Sequence, residues 1–72
     1  MVLDMIELNN INGFSIGENV MVGEDIDHDD PVAEEYSNCH AKILKFYPPF
    51  VEVEFLNTDI HRVLIKNIKK CN

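Results

Sequence analysis

FVEVEF, Phe50 to Phe55, decides how this chain is read. Successive side chains in a strand point to opposite faces, so Val51, Val53 and Phe55 share one side and Glu52 and Glu54 the other. That alternation predicts a strand with one buried and one wetted face. Turn chemistry bounds it. Tyr47-Pro48-Pro49-Phe50 precedes it, and two prolines cannot continue a hydrogen-bonded ladder. Leu56-Asn57-Thr58-Asp59 follows and turns the chain.

The neighbours have the same character. In CHAKILKFY, Cys39 to Tyr47, Ala41 and Ile43 alternate with Lys42, which predicts a second strand. IHRVLI, Ile60 to Ile65, puts His61, Val63 and Ile65 on one face. In FSIGENVMV, Phe14 to Val22, Gly17-Glu18-Asn19 supplies a turn, and Val20 and Val22 flank Met21 in a strand. KNIKKCN closes the chain, with Ile68 as the last core residue within a single 3₁₀ turn. Short strands separated by turns predict a mainly β protein, a small antiparallel barrel. Residues 14–70 form this barrel, and residues 1–13 are an N-terminal extension. MVLDMIELNNI, Met1 to Ile11, reads as an extra short helix or strand ending in a break at Gly13.

Between the first two core strands lies an acidic insertion, residues 23–38. It carries Glu24, Asp25, Asp27, Asp29, Asp30, Glu34 and Glu35, seven of the chain's 13 carboxylates. It is long for a hairpin connection. Asp30-Pro31 is a helix start, with Asp as N-cap and Pro at the first helical position. Glu34 and Glu35 then sit near the positive end of the helix dipole. Val32 and Tyr36, four apart, can clip the helical turn onto the barrel.

The totals narrow the function. Seventy-two residues make one small domain. A net charge of −7 and a pI of about 4.6 oppose direct binding to phosphate backbones or anionic membranes and favour basic partners. Two cysteines, Cys39 and Cys71, are too few for a disulfide scaffold. With no signal-peptide pattern and no apolar run long enough to cross a bilayer, a cytoplasmic protein with reduced thiols is expected.

FSIGENVMV resembles the opening F-x-x-G-D-x-V-x-V of SH3-like barrels of the Tudor and KOW type. CHAKILKF resembles their second strand, VEVEFLNTD their V-x-V-x-F-x-D-Y-G segment, and VLIKNIKK their closing strand. The resemblance covers about residues 14–70 and implies an SH3-like fold and a binding role. It also implies an aromatic cage for methylated lysine or arginine. Here Cys39-His40 stand where Trp-Tyr is typical, and Thr58 where Tyr is typical. A cage would need Tyr36, Phe46, Tyr47 and Phe50 to converge.

Other chemistry is poorly provided for. Asp25, Asp27 and Asp29 fit positions 1, 3 and 5 of an EF-hand loop. Asp30 and Tyr36 stand where its Gly and its bidentate Glu belong. His28, Cys39, His40, His61 and Cys71 lack the spacing of a zinc site, so neither metal nor cofactor is expected. A nucleophile pair would join Cys39 or Cys71 to His40 or His61, and no spacing favours it. The chain is therefore expected to bind and not to catalyse. The leading expectation is an acidic inhibitor or adaptor, DNA-mimic-like and of phage or mobile-element type, docking on a basic protein such as a DNA-binding protein. Its contact would be Glu24, Asp25, Asp27, Asp29, Asp30, Glu34 and Glu35, supported by Glu52 and Glu54. The alternative is an adaptor that binds a peptide or a transcription or translation component through an apolar groove of Tyr36, Tyr47, Pro48, Pro49 and Phe50. If the chain forms a homodimer, residues 1–11 are the natural interface.

Overall fold

The computed structural model describes residues 9–71. Strands β1 (Asn10–Ile11) and β2 (Phe14–Ser15) form a small hairpin. Strands β3 (Asn19–Val22), β4 (His40–Tyr47), β5 (Phe50–Phe55), β6 (Ile60–Leu64) and β7 (Ile68–Lys70) form one antiparallel sheet in the order β6-β5-β4-β3-β7. Helix α1 (Pro31–Glu35) lies between β3 and β4, and a 3₁₀ turn (Ile65–Asn67) joins β6 to β7.

The alternation read in Phe50 to Phe55 sets the core. Val51, Val53 and Phe55 are buried and meet Val63 of β6 and Ala41 and Ile43 of β4. Each fully buried Val, Ile or Phe side chain contributes about 1.5–3 kcal/mol, so the adjacent apolar rows are the main source of stability. Strand β4 departs from strict alternation. Its pairing with β5 shifts between Ile43 and Lys45, and this bulge turns Phe46 into the core after Ala41 and Ile43. One extra residue reverses the faces beyond it, which a period of two cannot anticipate. At the far end of β6 the 3₁₀ turn begins at Ile65, and Ile68 opens β7 after it; both are buried.

The mainly antiparallel β architecture expected from the sequence is present, but the strands do not close into a barrel. The sheet is open, with β6 and β7 at its two edges. Helix α1 lies against β6 and contributes the buried Ala33 to the core. The insertion thus covers part of the β6 side of the sheet.

The first hairpin crosses the expected boundary at residue 13. Asn12 and Gly13, both at positive φ, form its two-residue turn, the conformation that matches the strand twist in a tight hairpin. Glu18 ties this region to the last strand. Its side chain accepts from Ser15 N at 3.0 Å and from Lys70 Nζ at 2.9 Å. The extra helix or strand and the dimer interface, both expected over residues 1–11, lie mostly outside the described residues. Among the described residues no helix is long and apolar enough to cross a membrane.

Candidate functional site

The acidic insertion folds around two of its own carboxylates. Asp25 and Asp30 are only 2% and 3% exposed. Asp25 Oδ1 accepts from the N–H groups of Asp27 (3.2 Å) and His28 (3.1 Å), and its Oδ2 accepts from Asp30 N. A carboxylate that gathers main-chain donors in this way fixes a turn. It holds His28 at a φ of 58°, a left-handed conformation that few residues adopt unaided.

Asp30 is the expected N-cap, and its Oδ1 accepts from Ala33 N at 3.3 Å. Its other oxygen leaves the helix. Asp30 Oδ2 accepts from Leu64 N at 2.9 Å and from Asn67 Nδ2 at 3.0 Å. A buried charge is tolerable only when such donors replace water. Asp25 and Asp30 therefore act as internal struts, and neither offers a free carboxylate to a partner.

The other five carboxylates of the insertion, Glu24, Asp27, Asp29, Glu34 and Glu35, are exposed. Lys66 Nζ bridges Asp27 at 3.0 Å and Asp29 at 3.3 Å. Both carboxylates and the lysine are at least half exposed, so each pair contributes at most about 1 kcal/mol. His28 Nδ1 meets Glu34 Oε2, and this hydrogen bond, followed by the charge of Glu34, raises the pKa of His28. Glu24 and Glu35 have no ion-pair partner among the described residues. The surface keeps a strong negative excess, with one lysine against five carboxylates.

Glu52 and Glu54 project from the face of β5 opposite its buried residues. Glu52 pairs with Arg62 at 3.4 Å, and Glu54 stands opposite Lys42 in the ladder. Since α1 joins the core on the other side, they belong to a different surface from the insertion.

The aromatic residues divide into two groups. Ala41 pairs with Phe55 and Tyr47 with Phe50, six steps along β4, or about 20 Å apart. Tyr36 is at the first end, with its ring stacked on Phe55 at 3.9 Å and tilted against His61 at 5.2 Å. Tyr47, Pro48, Pro49 and Phe50 are at the other, where Arg62 lies over the Tyr47 ring at 3.8 Å. Phe46 is buried. Tyr36, Phe46, Tyr47 and Phe50 thus do not converge on one cation, and the groove expected from Tyr36 and Tyr47 to Phe50 is not one surface.

A different groove lies at the Tyr36 end. It encloses about 410 Å³ between Tyr36, Asn38, Cys39, His40, Phe55, Leu56 and Asn57. Leu56 is 85% exposed at its rim. Tyr36 Oη donates to Asp59 Oδ2 at 2.9 Å, and this bond, followed by desolvation, raises the pKa of the phenol. A second cleft of about 570 Å³ shares His40, Phe55 and Leu56 and extends to Asn19, Lys42, Glu54 and Cys71.

The sequence did not point to Leu56, the exposed apolar rim of this groove. One signal was present: Leu56 is apolar yet follows a core residue directly into a turn, where a strand's inward face ends. Among the described residues no group of three or more His, Cys, Asp and Glu side chains is placed to hold a metal ion. The chain matches no known family model, no curated protein and no solved structure.

Proposed function

We propose that this chain is a non-enzymatic, acidic protein-binding module, an inhibitor or adaptor that docks on a basic protein surface such as the nucleic-acid site of a DNA-binding protein. One observation carries the reading: the insertion is folded around Asp25 and Asp30, so that Glu24, Asp27, Asp29, Glu34 and Glu35 stand outward on a defined scaffold. A fixed array of carboxylates meets a basic surface at less entropic cost than a floppy acidic tail. Excess negative charge also speeds the encounter with a cationic partner. We further assign an SH3-like arrangement. The last strand returns to pair beside the first core strand after a 3₁₀ turn, and this order supports the assignment.

The test uses a labelled DNA duplex held by a histone-like DNA-binding protein, with the chain added as competitor. Release of the duplex at low salt, weakening as salt rises, is the expected result. Glu24→Gln, Asp27→Asn, Asp29→Asn and Glu35→Gln together should abolish release. If the fourfold variant competes as well as the native chain, the acidic surface is not the contact.

The groove beside Leu56 favours a second reading, an adaptor that takes an apolar segment of its partner. Tyr36 and Leu56 would form the contact, and binding would persist at high salt.

A further inference from the structure

Cys71 Sγ lies 3.2 Å from His40 Nδ1. The two residues are distant in sequence and meet because β4 and β7 flank β3, where Met21 pairs with both His40 and Lys69. The partly buried thiol opens on the 570 Å³ cleft, which Lys42 and Glu54 also line. A thiol, a base in contact with it and adjoining space for a reactant are the three requirements of an addressable nucleophile. Cys39 provides the contrast. It packs against the core, and among the described residues no histidine hydrogen-bonds to its sulfur.

We propose that the His40–Cys71 pair is a thiol-modification site that forms mixed disulfides with low-molecular-weight disulfides. The sulfur of Cys71 attacks one sulfur of the incoming disulfide as its proton passes to Nδ1 of His40. The new S–S bond forms, the old one breaks, and the released thiolate takes the proton from the imidazolium. One disulfide and one thiol enter and one of each leave, so no further oxidant is required. The adduct then occupies the cleft against Phe55 and Leu56, which also wall the apolar groove.

The experiment incubates the full chain with oxidised glutathione at neutral pH and follows the adduct by intact mass, with the modified residue located by fragmentation. Native Cys71 should be modified before Cys39, at a rate about tenfold or more above that of the same thiol in denaturing urea. His40→Gln, checked for folding by circular dichroism, should bring the rate down to the unfolded value. Modification of Cys39 first, or a Cys71 rate no faster folded than unfolded, overturns the proposal. So does a rate that His40→Gln leaves unchanged.

Discussion

Asp30 Oδ2 accepts a hydrogen bond from the main-chain N–H of Leu64 at 2.9 Å, across 34 positions of sequence. The same carboxylate caps α1 through its other oxygen. The helix start and the free edge of β6 are thereby fastened to one buried charge. An exposed edge with open N–H groups invites pairing with another chain, and part of this edge is answered from within the insertion.

Asp30→Ala removes the cap and leaves the donors of Leu64 and Asn67 without their acceptor. A cap is worth about 1 kcal/mol and each of the two hydrogen bonds to the charged group about 1.5–3 kcal/mol, so a loss of about 4 kcal/mol or more is expected. A domain of this size has roughly 4–11 kcal/mol in all. Urea unfolding should show a much lower midpoint, with Asp30→Asn in between. An unchanged midpoint for Asp30→Ala would contradict the strut role.

The insertion should contain two energetic classes of carboxylate. Glu24→Gln with Glu35→Gln touches only exposed groups that have no ion-pair partner among the described residues, so stability should stay within about 0.5 kcal/mol of native. Asp25→Ala should cost at least about 3 kcal/mol, because three main-chain donors lose their acceptor. Thermal melts of both variants separate the classes, and equal melting temperatures would refute the division.

His28 gives the insertion a pH dependence. Glu34 raises its pKa above the ordinary 6.5 by hydrogen bond and charge. A raised folded value means that the folded chain holds the proton more tightly. The stabilisation is therefore fully present below about 6.5 and is lost as pH rises through the folded value. NMR titration of His28 should show the upward shift, and Glu34→Gln should remove it. The effect is small because the pair is exposed.

Thr58 has a φ of 70° at the end of the β5–β6 turn, where its N–H donates to Phe55 O at 2.9 Å. A β-branched residue is poorly suited to that left-handed conformation, and glycine adopts it freely. Thr58→Gly should raise stability by about 0.5–1 kcal/mol, after allowing for the extra freedom glycine gives the unfolded chain. A lower melting temperature would show that the hydroxyl matters more than the backbone.

Sequence alone placed strands β3 to β6, because alternation and turn residues act over a few positions. Val51, Val53 and Phe55 face the core as their spacing requires, and Asp30-Pro31 starts a helix as cap chemistry requires. The acidic insertion was also legible, as a count of charges. Sequence could not separate its carboxylates. Asp25, Asp27, Asp29 and Asp30 look alike in one dimension, but two are buried and two face water. The difference comes from Leu64 and Asn67, donors more than 30 positions away, and from the local turn that Asp25 gathers. The bulge in β4, the separation of Tyr36 from Tyr47 and the meeting of His40 with Cys71 have the same origin. Each depends on strand register and on which strands are neighbours, and only the packed sheet fixes those.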